Sequence, residues 1–420
     1  MDEALFTLST PANEPVLPHA PGSPERRALK AKLDELASTE IEIPLIIGGQ
    51  EVRTGRTAMC VMPHDHRHVL AVYHQAGPAE VQMAIDAAHA AWHEWPKLPW
   101  PERVSIFLKA AEMLAGPRRA EFNAATMLGI GKNVCQSEID AICELADFFR
   151  FNAHFVDGIY SHQPESSLGV WDRLEWRPLE GFVFAASPFN FTSIAGNLCS
   201  APAMMGNTII WKPASSAVYP AYAIMRLLVD AGLPPGVINF LPGPGAAVGN
   251  PLVAHRDLAG IHFTGSTGTF QRMWSAVGQN ITGYRSYPRI VGETGGKDFV
   301  FVHVEAPDEM GHEGNVEGKV KAIEDFDEKV VGTVLKGIGR FGDYRVLVLS
   351  DHPTPIAKKT HTSEPSPFAV LCSRQAENVT GAAGYTEEAA RQGRIVVSPG
   401  FRLMEGFIGD WRRFIEDRRR

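Results

Sequence analysis

The sequence predicts an α/β fold in three parts: a helical layer, a parallel sheet with crossover helices, and a second, smaller α/β segment. Three observations carry this. Within residues 78–157, AEVQMAIDAAHAAWHEW and ERVSIFLKAAEMLAG place apolar side chains at i, i+3, i+4 and i+7, which makes helices with one buried face. From residue 181, short apolar runs alternate with helical patterns, as parallel strands joined by crossovers require. Near residue 300 the texture changes without a Gly/Ser spacer, and the later apolar runs lead to Asp and His.

Taken in order, residues 1–27 are Pro-rich and irregular and read as an arm on the surface. A helix at about 27–38 leads into IEIPLIIGGQEV, a strand and turn. The helical layer ends at the polar break SHQPESSLG (161–169). GFVFAAS is then a strand, and a helix begins after PFNFTS. NTIIWKP is a strand, and SSAVYPAYAIMRLLVDAG is a helix stopped by Gly232 and two prolines. GVINFLPG, GAAVGNPLVAH and LAGIHFTGS follow as strand, helix and strand. FVFVH (299–303) reads as a buried strand and 315–338 as helix. YRVLVLSDHP and PFAVLCS read as strands, and LMEGFIGDWRRFIEDRRR as a closing helix. Sheets of the 181–298 kind bind ligands beyond the carboxyl ends of their strands.

At 420 residues the chain holds two or three domains with substantial cores. A net charge of −8 argues against nucleic-acid or anionic-membrane partners. The basic end, Arg412, Arg413 and Arg418–Arg420, is interrupted by Glu416 and Asp417 and reads as a solvated helix end. Five scattered cysteines suggest a reducing compartment rather than a disulfide framework. The N-terminus has no basic start followed by an apolar run, and no apolar stretch reaches membrane-spanning length. A cytoplasmic protein acting on a small molecule is expected.

The first chemical constellation lies between 187 and 297. SPFNFTS puts Asn190 after a strand where a helix begins, so its amide can donate to a developing oxyanion, although an Asn there is by default a cap. WKP puts Lys212 at a strand's carboxyl end, within reach of a ribose hydroxyl, where a surface lysine is the ordinary alternative. FTGSTGT gives a strand, a turn and a hydroxyl-rich helix start, Gly265, Ser266, Thr267, Gly268 and Thr269, suited to a pyrophosphate or to capping alone. GPGAAVG misses the G-x-G-x-x-G spacing and weighs little. GETGGK sets Glu293 among glycines that let backbone approach a ligand.

In order and spacing, SPFNF, WKP, FTGS and GETGGK resemble the aldehyde dehydrogenase superfamily. GSPERRALKAKL, FLKAAEMLAGPRRAE, DFFRFNA and LEGFVFAASPFNFTSIAGNL resemble its 1-pyrroline-5-carboxylate dehydrogenase branch, and the likeness covers residues 10–303. It implies NAD-dependent oxidation of L-glutamate γ-semialdehyde to glutamate. Asn190 would line the oxyanion hole and Glu293 would be the general base. Ser187, Lys212 and Gly265–Thr269 would contact NAD. The family's chemistry also needs a cysteine thiolate that attacks the aldehyde, a few dozen residues after GETGGK. The next cysteine here is Cys372, in dissimilar surroundings, and Cys199 in NLCSAPAMM reads as a packing residue. Turnover is therefore not expected.

The second constellation is Asp308, His312, Asp351, His352 and His361, carboxylates and imidazoles expected on loops after two apolar strands. Their spacing suits Mn²⁺ or Zn²⁺. VEAPDEMGHEGNVEGKVKAIEDFDE and VLVLSDHPTPIAKKTHTSEPSPF resemble the C-terminal part of archaeal-type 2,3-bisphosphoglycerate-independent phosphoglycerate mutase. That resemblance implies an alkaline-phosphatase-like α/β lobe. Asp308, His312 and His361 would hold one ion, and Asp351 and His352 would help hold another. The mutase's nucleophilic Ser and early Asp ligand have no counterpart in residues 1–298.

The expected organisation is thus a helical N-terminal layer of aldehyde dehydrogenase type (1–180), a Rossmann-like NAD-binding sheet (181–298) and a partial alkaline-phosphatase-like lobe (299–420). FVFVH fits both patterns and is the expected seam. The alternatives are a metal-dependent mutase fragment and a non-catalytic NAD-binding fusion. Oligomeric state is left open.

Overall fold

Ser23 starts the first helix: its hydroxyl accepts from Arg26 N, and Pro24 presets the first turn of α1 (Pro24–Ala37). The computed structural model describes residues 8–295, 302–339, 342–373, 384–393, 395–400, 402–408 and 411–416. The chain divides into two compact units, Met1–Asp298 and Phe299–Arg420. Before α1 the arm is fastened by its own amides. Leu8 N donates to Asp157, Glu14 N to Asp147 and Leu17 N to Glu138.

After α1 come β1 (Ile41–Ile43), β2 (Leu45–Ile47), β3 (Gln50–Val52), β4 (Thr57–Met62) and β5 (Asp65–His74). β4 and β5 have no counterpart in the sequence reading. They pair antiparallel and join β1 in a three-stranded sheet. Their outer positions carry Thr, His and Arg, which hides a strand whose other positions, Cys60, Leu70 and Tyr73, are buried. The helical layer is as expected: α2 (Pro78–Trp92), α3 (Trp100–Ala115) and α4 (Arg119–Ile130). Gly131, at φ 72°, stops α4 in the left-handed conformation that suits glycine. The short α5 (Val134–Ser137) runs through a π-helical turn, Glu138–Glu144, into α6 (Leu145–Ser161).

The main sheet is built from β6 (Phe182–Ala186), β7 (Thr208–Lys212), β8 (Ile238–Phe240), β9 (Leu258–Gly265) and β10 (Arg289–Thr294), all parallel. The connecting helices are α7 (Thr192–Met204), α8 (Val218–Ala231), α9 (Gly245–Ala254) and α10 (Thr267–Gln279). Strand order is β10-β9-β6-β7-β8-β2-β3, so β2 and β3 extend the sheet antiparallel at one edge. The chain runs outward from β6 through β7 to β8, then returns to β9 on the other side. That reversal opens a crevice between the carboxyl ends of β6 and β9.

β6 shows why both faces are covered. Val183 and Ala185 pack into a core with α3, α4, α6, α7 and α8, while Phe182, Phe184 and Ala186 pack into a second core with α2, α9 and α10. A strand buried on both sides reads as a continuous apolar run, and FVFAA does.

Three local expectations need correction. α7 begins at Thr192, inside FTS rather than after it. Residues 289–294 form β10, for which the sequence pattern offered no element. Only Ile290 and Val291 are apolar there, and pairing with β9 rather than burial sets the strand. The closing helix is two helices, with Gly409 and Asp410 outside the described residues. FVFVH also falls largely outside them, at 299–301.

The second unit contains α11 (Ala306–Glu313), α12 (Val316–Asp325), a π-helical stretch Phe326–Val331 and α13 (Gly332–Ile338). β11 (Arg345–Leu349) and β12 (Phe368–Cys372) pair antiparallel. α14 (Glu387–Gly393), α15 (Arg402–Ile408) and α16 (Trp411–Glu416) follow. Its described core is Cys372, Leu403, Trp411 and Phe414.

Candidate functional site

Every residue expected to contact a nucleotide lies at the carboxyl edge of the parallel sheet. Lys212 closes β7, Ser187 follows β6, and Gly265 closes β9 just before α10. Ser187 and Gly265 flank the crevice at the strand-order reversal. Ser187 is buried, and its hydroxyl accepts from the Trp211 indole N–H at 3.1 Å. Lys212 donates from Nζ to the Pro213 carbonyl at 2.9 Å and makes no ion pair among the described residues. Burial pushes its ammonium down to about 8. A cation desolvated without a carboxylate is costly, and such strain clusters at binding sites.

Ser266 is the N-cap of α10, its hydroxyl accepting from Thr269 N at 3.3 Å. The same hydroxyl donates to Thr269 Oγ1, which also accepts from Arg272 at 2.9 Å. The N–H groups of Thr267 and Gly268 lie in the first helical turn, which has no intrahelical acceptors. Arg272 brings a guanidinium to the same helix start, and no motif in the sequence marks it.

Glu293 is exposed and sits within β10 opposite Thr264, whose hydroxyl donates to its Oε2 at 3.4 Å. The ends of β6 and β10 are two strand spacings apart, roughly 10 Å. Gly292 serves packing rather than ligand approach, because a Cβ there would lie 2.3 Å from the Phe270 ring. Gly296 and Lys297 of GETGGK lie outside the described residues.

Asn190 precedes the helix but does not cap it. Phe191 occupies the N-cap position, and a buried carboxylate from the π-helical turn supplies the acceptors. Asp140 takes Thr192 N at 3.0 Å and Ser193 N at 2.8 Å, and pairs with Lys132 at 2.6 Å. Lys132 in turn lies over the Phe191 ring. Asp140 and Lys132 therefore hold the turn that carries Asn190, a role no local motif signals.

None of the five thiols is paired in a disulfide. Burial pushes Cys60 up to about 12 and Cys143 up to about 11. Cys199 is fully buried and donates to the Ala195 and Gly196 carbonyls of its own helix, and burial raises it further. Cys372 is buried in β12 and Cys135 is exposed on α5.

In the second unit, Asp308, His312 and His361 converge, each offering a ligand atom within 4.8 Å of the others. Asp308 and His312 stand on α11 rather than on a loop. Glu305 is its N-cap residue, Pro307 and two acidic residues fill its first turn, and the four-residue spacing puts both side chains on one face. His312 Nε2 is 3.0 Å from His361 Nε2 and 3.4 Å from Asp308 Oδ2, and His361 Nε2 is 3.5 Å from Asp308 Oδ1. The Thr354 hydroxyl, and after it the three imidazoles, hold the Asp308 carboxyl below its usual range against the opposing effect of burial. His352 stacks on His361 at 3.6 Å and pairs with Asp351 at 3.4 Å. Those two residues border the three-residue cluster without joining it. Two imidazoles and a carboxylate with solvent access suit a transition metal.

A model of the aldehyde dehydrogenase family matches residues 51–321, more than half of the chain. The chain belongs to the aldehyde dehydrogenase family. A metalloenzyme superfamily model matches residues 286–395, and the two matches overlap from 286 to 321. Delta-1-pyrroline-5-carboxylate dehydrogenase of Agaricus bisporus is 48% identical over 305 residues, 72% of this chain and 56% of that protein. The human mitochondrial protein of that name is 48% identical over 292 residues, 70% of this chain and 52% of its own length. A crystal structure of the Mycobacterium tuberculosis enzyme bound with NAD is similar at TM-score 0.69 and 51% identity, covering 75% of this chain and 59% of that one.

The chain spans about half the length of the curated relatives it matches. Its aldehyde dehydrogenase fold comprises the helical layer and the parallel sheet, and an alkaline-phosphatase-like metalloenzyme segment stands at its C-terminal end. No helix among the described residues is long and apolar enough to cross a membrane.

Proposed function

We propose that residues 1–298 are the nucleotide-binding part of an NAD-dependent L-glutamate γ-semialdehyde (1-pyrroline-5-carboxylate) dehydrogenase, and that this chain binds NAD without oxidising the aldehyde. The helical layer (1–180) and the sheet (181–298) would act together, with 299–420 as a separate metal-binding segment. The observation that carries the nucleotide reading is the gathering of Ser187, Lys212 and Gly265–Thr269 at the carboxyl ends of adjacent parallel strands around the β6–β9 crevice.

The residues present fit the cofactor. The Lys212 ammonium, with no carboxylate partner among the described residues, is available to ribose hydroxyls, and the first turn of α10 with Arg272 offers donors to a pyrophosphate. The relative whose structure holds NAD supports the same choice. When bound, NAD would supply the hydride acceptor for aldehyde oxidation. Asn190 would donate to the aldehyde oxygen, and Glu293 would take a proton from water. The absence of turnover is inferred from the thiols: Cys60, Cys143 and Cys199 are buried and held protonated, Cys135 stands on α5 in the helical layer rather than after GETGGK, and Cys372 belongs to the other unit. Cysteines outside any disulfide suit a reducing compartment such as the cytoplasm.

Thermal unfolding with and without NAD tests this directly. Saturation a hundredfold above Kd adds about 2.7 kcal/mol, so an unchanged melting temperature at millimolar NAD would remove the cofactor reading. NADH formation from glutamate semialdehyde would overturn the claim that turnover is lost.

A second reading concerns the C-terminal segment alone. Its Asp308–His312–His361 cluster and its metalloenzyme match support a Mn²⁺ or Zn²⁺ site inherited from a phosphoglycerate-mutase-like enzyme. We infer ion binding there without mutase activity, since the mutase's nucleophilic Ser has no counterpart in the sequence of residues 1–298. Mn²⁺-dependent interconversion of phosphoglycerates by the full chain would contradict that.

A further inference from the structure

We propose that Thr354, which lies outside the metal cluster, is a positioning residue that preorganises it. The inference rests on the C-terminal segment binding a metal ion, as inferred above. Thr354 is 5% exposed, and its hydroxyl donates to Asp308 Oδ1 at 2.5 Å while standing 3.3 Å from His352 Nδ1. A hydroxyl has one proton and an ionised carboxylate only accepts. The Thr354 proton therefore goes to Asp308, and the hydroxyl oxygen stands within reach of His352 Nδ1 as an acceptor. One side chain thus engages one oxygen of Asp308, leaving Oδ2 for an ion, and contacts the imidazole stacked on His361.

The same loop fixes a second ligand. His312 Nδ1 lies 3.0 Å from the Lys359 carbonyl, which can only accept, so His312 carries its proton on Nδ1 and turns the Nε2 lone pair toward Asp308 and His361. Three further contacts tie the loop to α11 and α12. Lys319 Nζ donates to the Thr354 carbonyl at 2.6 Å, and Lys359 Nζ to the Glu313 carbonyl at 3.1 Å. Gly311 leaves no room for a side chain, because a Cβ there would lie 2.8 Å from the Thr354 carbonyl oxygen. Ligands on two segments are therefore aligned by groups that never touch the ion, and outer partners of this kind set both ligand basicity and orientation.

The test uses the full chain, stripped of metal with a chelator, and Zn²⁺ titrated against a chromogenic competitor. Thr354→Val should weaken Zn²⁺ binding 10–100-fold, while Thr354→Ser should restore most of it because the hydroxyl returns. With Co²⁺ as a spectroscopic probe, Thr354→Val should shift or weaken the visible ligand-field bands and Thr354→Ser should keep them. Should the valine variant fail to fold, Thr354→Ala carries the same comparison. Equal Zn²⁺ affinity in the parent and the valine variant would overturn the inference and leave the metal site standing. A serine variant as weak as the valine variant would also overturn it. A parent chain that binds neither ion, no better than Asp308→Ala, would remove the metal reading and this inference with it.

Discussion

Replacing Lys212 by methionine should stabilise the first unit while weakening its hold on NAD. Burial lowers the Lys212 ammonium from the ordinary lysine value of 10.5 to about 8. That gap corresponds to roughly 3 kcal/mol of penalty against the charged form in the folded state. Losing the hydrogen bond to the Pro213 carbonyl returns about 1 kcal/mol, and the methionine chain keeps most of the alkyl packing. The net expected gain at pH 7 is roughly 2 kcal/mol. Because the folded-state value lies below the unfolded one, unfolding takes up a proton between about pH 8 and 10.5. Stability of the parent should therefore rise through that window relative to Lys212→Met, and the full penalty should be present below about pH 8. Urea unfolding of both chains from pH 6 to 10, each with and without NAD, reads stability and binding together. A methionine variant less stable than the parent at pH 7, or a difference that does not change across the window, would refute the desolvation argument. A variant that keeps its NAD-dependent stabilisation would refute the assignment of Lys212 to the nucleotide.

Asp140→Ala should strip two amide acceptors from the start of α7 and leave Lys132 unpaired, costing about 3–5 kcal/mol. At roughly 2 °C per kcal/mol for a unit of this size, calorimetry should show the first unit melting about 6–10 °C lower, and an unchanged melt would deny the capping role. Gly292→Ala should cost about 1–3 kcal/mol by overpacking, since Phe270 is wedged against Phe263 and Trp274 and cannot swing aside freely. Adding Phe270→Leu should recover most of the lost stability in denaturant unfolding. Removing His361 takes one of three converging ligand atoms from the metal cluster, so equilibrium dialysis of His361→Ala should detect no bound Zn²⁺ under conditions that load the parent.

The parts of the site that could be read from the sequence are those whose geometry is local. Lys212 had to end a strand because WKP closes an apolar run, and Ser266 had to start a helix because two glycines and three hydroxyl residues cluster after FT. The parts that could not be read act across long separations. Asp140 reaches Thr192 over 52 positions and Thr354 reaches Asp308 over 46. Neither sits in a pattern that marks a ligand or a cap. β10 was hidden for another reason. Its pairing with β9 costs little side-chain burial, so a strand that places Glu293 leaves almost no hydrophobic trace.

The same physics separates the two units. In the first, alternate residues of β6 feed two cores, and deep burial on both faces needs nothing beyond residues 1–298 to explain it. In the second, the described sheet has two strands and the core four buried side chains, while Val316, Val320 and Ile323 of α12 stay exposed at helical spacing. A two-stranded sheet is marginal by itself. Much of the order around α11 therefore depends on polar ties: Thr354 to Asp308, Lys319 to Thr354, and Lys359 to Glu313 and His312. An ion held by Asp308, His312 and His361 would join α11 to the loop that these ties also hold, so its binding energy would count as folding energy for that unit. Glu293 and Asp308 stand fifteen residues apart in sequence, yet one belongs to a sheet stabilised by apolar burial and the other to a cluster stabilised by polar ties. The change in what holds the chain together falls in the 286–321 interval where the two family matches overlap.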